Sequence, residues 1–422
     1  MNKKKLIILG GGLSGLAAGE ILSKHFEVEI FESAPFLGGL ASNFEKEGKF
    51  IPRYYHHIIQ SNTITQEYLK RFGDIENLNW KKIKVAIGVD GKTYNVNEIK
   101  GLLKFNYLTL WEKIRFGLFG LYSLYFINLK NIEDDLDAEK WLRRYAGVNV
   151  TTKIFHHLYS RNKFNFPLSK ISAKQFANRL HEKEIFDYFS FPQGGYQKMI
   201  DNLKNAIEKN WGSVKINSNI SKIDIDEKYI INNGTKKTYD FLISSIPLEV
   251  FSGLTEGIPP ELKNNIAKIK YCPAVCVCFA TEDFLDQKNY WINLFNERIH
   301  LIMQHSLLND EYGDKINWCL RYGGSEEDLE LSDEKIKEAY LDVVKKYFPL
   351  SKIKWVRVFR TKYAEPIYDI DYHKYMPDYK VPIKGLYFVG IQLTYPKIRN
   401  MNSALESGIH VANLILKEFR IS

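Results

Sequence analysis

The sequence predicts an α/β protein, in which a parallel sheet built from separated parts of the chain carries an inserted region of helices and antiparallel strands. Residues 5–31 follow the order strand, apolar-faced helix, strand, which is a βαβ unit. Two later apolar runs, residues 240–247 and 385–390, have the composition of buried parallel strands. Between them, residues 270–368 contain several short strand patterns, which indicate an antiparallel sheet.

Length, composition and charge limit the function classes. The 422 residues are enough for two associated domains, and 45% hydrophobic with 26% charged residues is typical of globular proteins. The net charge of +9 favours anionic partners. The excess consists mostly of dispersed lysines without a zinc-finger or helix-turn-helix pattern, so a solvated cationic surface is predicted rather than nucleic-acid binding.

The first βαβ unit carries a phosphate-binding pattern. Residues 10–15 are Gly-Gly-Gly-Leu-Ser-Gly, a G-x-G-x-x-G match between the strand at 5–9 and the helix at 13–25. Gly10 allows the tight turn, Gly12 lets the backbone approach a pyrophosphate, and Gly15 allows close helix packing. The second strand ends at Glu32, where a carboxylate can accept hydrogen bonds from ribose hydroxyls. A Rossmann-like domain is predicted, with cofactor contacts from Gly10, Gly12, Leu13, Ser14, Gly15, Glu32 and Ser33.

Residues 32–41, Glu-Ser-Ala-Pro-Phe-Leu-Gly-Gly-Leu-Ala, resemble the E-x(5)-G-G motif of the flavin amine oxidase superfamily. That superfamily includes protoporphyrinogen oxidases, phytoene desaturases and, more distantly, UDP-galactopyranose mutases. The resemblance implies an FAD-binding domain of the GR2 type, with Gly38 and Gly39 along the pyrophosphate and ribityl chain of FAD. Many members carry Arg where this chain has Leu40, so phosphate neutralisation falls to backbone dipoles or to another basic residue.

Residues 385–404 resemble the closing flavin segment of the same superfamily, a strand ending in Gly390 followed by a loop and a helix. The resemblance implies that the helix N-terminus, with Met401 and Asn402, lies near the flavin ring and stabilises its reduced form. Further cofactor contacts are expected from Leu40, Ile223, Gly390 and Arg399. Many relatives carry an acid where this chain has Ile391, so that polar contact is expected to be missing or supplied elsewhere.

Candidate catalytic residues are His56 and Tyr395. Residues 54–57, Tyr-Tyr-His-His, resemble an aromatic-His-His run of protoporphyrinogen-oxidase-like proteins and a histidine of the sugar mutases. The resemblance implies that His56 faces the flavin, and a structural histidine is the alternative. The neighbouring His57 is expected to point the other way.

Candidate substrate contacts are Tyr159, Arg161, Lys163 and Tyr363. Residues 156–164 resemble a segment that contributes to the active-site roof of oxidase-like relatives, and its two cations suit an anionic substrate. A basic helix end that completes its dipole is the alternative. The paired histidines at 156 and 157 have no carboxylate or thiol at ligand spacing, so no metal site is predicted.

The predicted domains are discontinuous. The FAD-binding domain comprises residues 1–61, 190–265 and 380–422, the helical cap residues 62–189, and the antiparallel-sheet substrate domain residues 266–379. Residues 116–129 form the longest nearly uncharged stretch, which is too short to span a bilayer. This stretch could be an interfacial anchor or a tunnel wall, but its pattern favours a buried core helix.

The predicted function is that of an FAD-dependent oxidoreductase, an oxidase or dehydrogenase that passes a hydride from a small organic substrate to flavin N5. The alternative is a non-redox sugar-nucleotide mutase, which Arg161, Lys163, Arg321 and Arg360 would suit. A flavin protein without turnover is disfavoured, because the large insertion indicates a pocket. The small number of cysteines indicates a reducing, cytoplasmic location. The sequence leaves open whether the protein contacts a membrane peripherally, and whether it is a monomer or a homodimer.

Overall fold

The computed structural model describes residues 3–182, 186–323, 326–349 and 352–420. Five parallel strands form one sheet, and they come from three separated parts of the chain. Their order across the sheet is Ser213–Lys215, Glu27–Phe31, Lys5–Leu9, Phe241–Ser244 and Leu386–Phe388. These strands are short apolar runs because the central ones are buried on both faces.

Three helices pack with this sheet: Leu13–Leu22, Gln197–Lys209 and Met401–Glu418. The first and last helices lie against each other, and the contact is so close that a Cβ on Gly408 would overlap the carbonyl oxygen of Ser14. The first and last helices therefore contact each other directly, whereas the first and last strands in the chain, Lys5–Leu9 and Leu386–Phe388, are separated in the sheet by Phe241–Ser244.

A second, seven-stranded sheet carries the predicted antiparallel strands. All its neighbouring pairs are antiparallel except Val85–Val89 with Trp291–Leu294. Helix Asp333–Tyr347 packs on one face of the sheet. The order across the sheet is Ile353–Pro366, Tyr271–Thr281, Lys315–Tyr322, Leu301–Gln304, Trp291–Leu294, Val85–Val89 and Lys92–Asn95.

Two of these seven strands come from residues 62–189, the region that was predicted to form a helical cap. Val85–Val89 pairs with Trp291–Leu294, about two hundred residues away, and Lys92–Asn95 extends the sheet through a hairpin. A five-residue apolar run shows no distinctive periodicity, so its pairing with a remote partner decides its structure.

The region between residues 62 and 182 is otherwise helical. Its helices are Thr63–Gly73, Ile99–Lys104, Leu110–Tyr125, Ala138–Tyr145, Val148–Val150 and Ala173–His181, with a π-helix over Thr151–Phe164. The helices here are separate segments, with breaks between Lys104 and Leu110 and between Tyr125 and Ala138, and the helices Leu110–Tyr125 and Ala138–Tyr145 begin at side-chain caps. A capping box of Thr109 and Glu112 starts one helix, and the Asp137 side chain caps the next.

The remaining elements are short. A four-stranded sheet has the order Thr235–Thr238, Tyr229–Asn232, Ile220–Asp224 and Thr255–Glu256, and smaller pairings join Asn43–Lys46 with Lys49–Pro52 and Ile58–Ile59 with Tyr188–Ser190 and Lys81–Lys82. The further helices are Leu248–Leu254, Pro260–Lys268, Glu326–Leu329 and Tyr372–Tyr375. Within the described ranges, no helix combines the length and hydropathy required to cross a bilayer.

The four cysteines, Cys272, Cys276, Cys278 and Cys319, are all buried. Burial raises the pKa of each thiol by desolvation. These side chains therefore behave as small apolar groups of the seven-stranded sheet.

Candidate functional site

A cavity of about 680 Å³ lies between the two large sheets. Gly10, Ser245 and Gly390 line it just beyond the carboxyl ends of three parallel strands, while Cys276 and Tyr322 line it from the seven-stranded sheet. The edge of a parallel sheet beyond its carboxyl ends is where open α/β folds bind ligands. The volume lies within the range of about 300–1,000 Å³ for ligand sites.

One end of the cavity has the geometry of a phosphate cradle. Helix Leu13–Leu22 begins there after Gly12, without a side-chain cap and without an acid in its first turn. Gly38 donates a backbone hydrogen bond of 2.8 Å to Gly11 O, which holds the two glycine turns side by side. A Cβ on Gly12 would contact only Gly39 Cα, at 3.9 Å, so open space lies above the positive helix end.

Glu32 is fixed beside this cradle. Its Oε2 accepts a hydrogen bond of 2.7 Å from Gly11 N, and its Oε1 accepts one of 2.8 Å from Ala34 N. Ser33 Oγ lies 3.3 Å from the same Oε1, and both Glu32 and Ser33 line the cavity. Oε2 therefore keeps a lone pair that can accept a hydrogen bond from a ribose hydroxyl.

Arg53 provides a cation at this end that sequence reasoning did not single out. Its Nε donates a hydrogen bond of 3.2 Å to Asn43 O, and its guanidinium carbon lies 3.9 Å from the centre of the Phe36 ring. Among the described residues, no carboxylate lies within ion-pair distance of it. Since Leu40 leaves the position of the usual arginine uncharged, Arg53 is a candidate for the missing basic residue.

The closing segment borders the cavity with Gly390, Asn400 and Met401. Asn400 caps helix Met401–Glu418, because its Oδ1 accepts a hydrogen bond of 2.8 Å from Ser403 N. Asn402 is not part of the lining: its Oδ1 instead accepts a hydrogen bond of 3.1 Å from Thr65 N. Successive helical side chains point about 100° apart, which turns Asn402 away from the cavity.

His56 lines the cavity. Its Nδ1 lies 2.8 Å from Tyr54 O, so Nδ1–H donates and Nε2 carries the free lone pair. Desolvation lowers the pKa of His56 to about 4, although the hydrogen bond to Tyr54 opposes the shift. His57 also contributes to the lining, contrary to the expectation for its orientation, and its ring packs 4.6 Å from the Phe189 ring.

A buried charged cluster forms part of another wall. Glu365, which is 2% exposed, binds three cations: Arg399 Nε at 2.8 Å, Lys163 Nζ at 3.0 Å and Arg179 Nη2 at 3.3 Å. The three cations line the cavity, and Arg399 also donates a hydrogen bond of 3.1 Å to the hydroxyl of Tyr322. This group of four residues is the Glu365 cluster.

Burial acts on the protonation of the Glu365 cluster. Desolvation disfavours the carboxylate, but Arg399, Lys163 and Arg179 outweigh it and lower the pKa of Glu365 to about 2. Desolvation and the charge of Arg179 lower the pKa of Lys163 to about 8, against the attraction of Glu365. The carboxylate is therefore ionised at neutral pH, and Lys163 is the cation of the cluster that titrates most readily.

The sequence indicated this cluster only in part. Lys163 was a predicted substrate contact and Arg399 a predicted cofactor contact, whereas Arg179 and Glu365 were not singled out. Each of these two lies in an ordinary element, the helix Ala173–His181 and the strand Ile353–Pro366. No local motif marks them, because the four side chains come together from distant parts of the chain.

The structure places several predicted site residues outside the cavity lining: Gly15, Tyr159, Arg161, Ile223, Tyr395 and Asn402. The remaining ones line it: Gly10, Gly12, Leu13, Ser14, Glu32, Ser33, Gly38, Gly39, Leu40, His56, Lys163, Tyr363, Gly390, Arg399 and Met401. Gly15 nevertheless has the packing role expected of it, because a Cβ there would overlap Gly10 O.

Physical reasons account for the displaced residues. The Tyr395 hydroxyl lies 2.8 Å from Ser172 Oγ, and the Tyr159 ring packs 4.4 Å from the Phe176 ring. Ile223 is buried in the four-stranded sheet, and Arg161 is exposed.

Two arginines considered for a sugar nucleotide are paired with acids. Arg321 lies 3.1 Å from Asp328, and Arg360, which lines the cavity, lies 2.6 Å from Asp333. Their charges are therefore partly neutralised within the protein. Within the described ranges, no group of three or more His, Cys, Asp or Glu could hold a metal ion.

Comparison with known proteins agrees with this architecture. The family model for flavin containing amine oxidoreductases matches residues 13–416. A 15-cis-phytoene desaturase of an Oncidium hybrid cultivar is 23% identical over 467 aligned residues, which cover 98% of this chain and 78% of the desaturase.

Solved structures share the fold. A putative protoporphyrinogen oxidase from Exiguobacterium has a TM-score of 0.79 at 16% identity, covering 99% of this chain and 100% of that one. Reduced UDP-galactopyranose mutase has a TM-score of 0.78 at 16% identity, covering 98% and 96%. Because the family model spans nearly the whole chain, the protein belongs to the flavin containing amine oxidoreductase family, binds FAD and is an FAD-dependent oxidoreductase.

Proposed function

We propose that the protein oxidises a small organic substrate that carries an anionic group, with the Glu365 cluster holding that group. The observation that carries the proposal is one cavity that joins the glycine cradle to three buried cations. FAD, when bound, supplies a hydride acceptor at N5 of its flavin ring.

The residues of the phosphate cradle fit the ADP half of FAD. The free backbone donors after Gly12 and the open space beside Gly39 would receive the pyrophosphate, and Glu32 would accept the ribose hydroxyls. Arg53 would offset the phosphate charge that Leu40 cannot neutralise. A side chain on Gly12 would occupy the same space, which supports a ligand at this position.

The walls of the cavity suit orientation and exclusion of water. Tyr55, Trp291 and Tyr363 supply aromatic surface, and His56 adds a neutral imidazole whose Nε2 can accept a hydrogen bond. Because the pKa of His56 is about 4, the ring carries no charge at physiological pH. His56 therefore orients the substrate through hydrogen bonding rather than through its charge.

The charge of the cavity wall that contains the Glu365 cluster selects the substrate class. Glu365 is paired with Lys163, Arg179 and Arg399. A second carboxylate on the cavity lining, Glu182, lies three residues after Arg179 in the sequence. Three cations with two carboxylates leave an excess of positive charge. Such a wall attracts a carboxylate or a phosphate and repels a protonated amine.

The titration of Lys163 predicts how anion binding depends on pH. With its pKa at about 8, Lys163 is charged at neutral pH and loses its charge above that value. We expect the affinity for a probe anion, benzoate, to stay constant between about pH 6 and pH 7, where benzoate is ionised, and to fall up to about tenfold per pH unit above pH 8. Perturbation of the flavin visible spectrum measures the dissociation constant.

Lys163→Met is expected to weaken benzoate binding at pH 7 and to remove most of this pH dependence. Lys362→Met is the matched control, since Lys362 is largely exposed and pairs with Glu249 at 2.8 Å. Equal pH profiles for wild type and Lys163→Met would contradict the assignment of Lys163 to the anion site.

A sugar-nucleotide mutase is a second candidate, because the cations of the Glu365 cluster also suit the diphosphate of a nucleotide sugar. The two functions differ in their use of electrons. We would photoreduce the flavin without oxygen, then add UDP-galactopyranose, and separately add oxygen or a quinone. Reoxidation by the acceptors with no sugar conversion supports the oxidoreductase, whereas conversion without reoxidation supports the mutase.

A carboxylate panel then tests the substrate class under anaerobic conditions. We expect bleaching of the oxidised flavin spectrum by an anionic substrate and none by its amine counterpart. Bleaching by simple amines alone would overturn the proposed substrate class while leaving the FAD-dependent activity in place.

A further inference from the structure

Helix Leu110–Tyr125 presents a row of large apolar side chains to solvent. Six of its residues are more than two-fifths exposed and form what we define as the apolar face: Leu110, Trp111, Ile114, Leu118, Leu121 and Tyr125. Trp111 is 79% exposed, whereas Phe119 on the opposite side is 3% exposed. This arrangement contradicts the expectation of a buried core helix over residues 116–129.

The apolar face is continuous. At about 100° per residue, its six members fall within an arc of about 100° of the helix circumference. Lys113 lies beyond one edge of this arc and Arg115 beyond the other. The helix therefore has a stripe of apolar residues with a cation on either side, which is the pattern of a helix that lies in a membrane interface.

Neighbouring residues enlarge the exposed apolar surface. Ile99 and Leu103 of the preceding short helix are 80% and 56% exposed, and Phe126 after the helix is 71% exposed. Surfaces of this kind on soluble proteins mark interaction sites. Lys113 Nζ lies 2.6 Å from Leu103 O, which links the two helices at the edge of the apolar face.

The exposed charges on helix Leu110–Tyr125 and on the preceding helix Ile99–Lys104 are all basic. Residues 99–132 contain five basic residues, Lys100, Lys104, Lys113, Arg115 and Lys130, and one acid. That acid, Glu112, is 7% exposed and is occupied by capping its own helix and by an ion pair of 2.8 Å with Lys153. The exposed surface of these two helices is therefore apolar and cationic.

We propose that the apolar face docks this protein on the surface of an anionic lipid bilayer. The apolar side chains would enter the boundary between head groups and acyl chains, while the flanking cations would contact anionic head groups. A sixteen-residue helix is too short to cross a bilayer, so it would lie parallel to the surface.

A second copy of the chain is a less suitable occupant of the apolar face. A two-fold dimer places the same patch on both subunits, so the cations that flank one apolar face would approach those of the other. The acid of helix Leu110–Tyr125, Glu112, is buried and paired with Lys153, so this helix has no exposed carboxylate to compensate the repulsion. A bilayer with anionic lipids supplies the missing negative charge.

Co-sedimentation of the FAD-loaded protein with vesicles tests the proposal. We expect binding to vesicles of phosphatidylcholine and phosphatidylglycerol in equal amounts, and much weaker binding to phosphatidylcholine alone. The combined variant Trp111→Ser, Leu118→Ser, Leu121→Ser should weaken binding by about tenfold or more, since it removes the apolar contribution. Arg115→Glu should weaken binding only to the anionic vesicles.

Trp211→Ser is the matched control, because Trp211 is 90% exposed and lies outside the apolar face. Its binding should equal that of the wild type, and the flavin spectrum should be retained in every variant that is compared. Failure of the wild type to bind either vesicle, or unchanged binding of the triple variant, would overturn the proposal. A wild-type dimer that the triple variant makes monomeric, without vesicle binding, would assign the face to a second copy.

Discussion

Gly12→Val is expected to abolish FAD binding and to leave the apoprotein folded. The backbone at Gly12 has φ −73° and ψ 172°, which any residue can adopt, and a Cβ there meets only Gly39 Cα at 3.9 Å. The valine methyl groups would instead occupy the space above the helix N-terminus that the pyrophosphate requires. We expect at least a hundredfold loss of affinity, equal to about 2.7 kcal/mol.

The measurement is titration of apoprotein with FAD, followed by flavin fluorescence, with circular dichroism to establish folding. Gly120→Ala is the matched control, since a Cβ there contacts nothing within 4 Å and the position lies in a helix away from the cavity. A folded Gly12→Val protein that binds FAD with wild-type affinity would show that the pyrophosphate lies elsewhere.

Glu365→Gln is expected to lower the free energy of unfolding by about 3–5 kcal/mol, because it leaves three buried cations without their counter-ion. Glutamine keeps the size of the side chain, so the change reports on charge rather than on a cavity. Urea unfolding at pH 7 measures it. Glu249→Gln is the control, as its ion pair with Lys362 is about half exposed, and we expect a loss below about 1 kcal/mol.

Glu365→Gln also tests a predicted pH dependence of the free energy of unfolding. The folded-state pKa of Glu365, about 2, lies below the ordinary value of 4.5. A lowered carboxyl pKa contributes stability that is complete above the unfolded pKa and is lost as the pH falls through the folded pKa. The difference between wild type and Glu365→Gln should therefore be constant between about pH 5 and pH 7, where Lys163 is also charged, and decrease towards pH 2. A difference that does not change over this range would contradict the ionised, paired state of Glu365.

Local patterns in the sequence were sufficient for the cofactor unit. Residues 5–39 hold a strand, a glycine turn, a helix, a second strand ending before Glu32, and a second glycine pair, all within one contiguous stretch. Strand and helix geometry fix how such neighbours meet in space, so their spacing predicts the cradle. The later parallel strands at Phe241–Ser244 and Leu386–Phe388 were predictable from their apolar composition alone.

Side chains that meet from distant segments were not predictable in this way. The Glu365 cluster unites residues of the π-helix, the helix Ala173–His181, the longest strand of the seven-stranded sheet and the loop before the last helix. None of these segments carries a pattern that names its partners. Tyr395 and Arg161 illustrate the converse, since a suitable residue type in a suitable segment still points away from the cavity.

The sequence by itself determined the presence of the FAD cradle, the α/β class and the antiparallel insertion, because these depend on periodicity and on spacing within short stretches. Only the tertiary structure decided which cations reach the cavity and which side of helix Leu110–Tyr125 remains exposed. The physical reason is that burial and ion pairing depend on what packs against a residue. An apolar stripe has the same pattern in a sequence whether protein or solvent covers it.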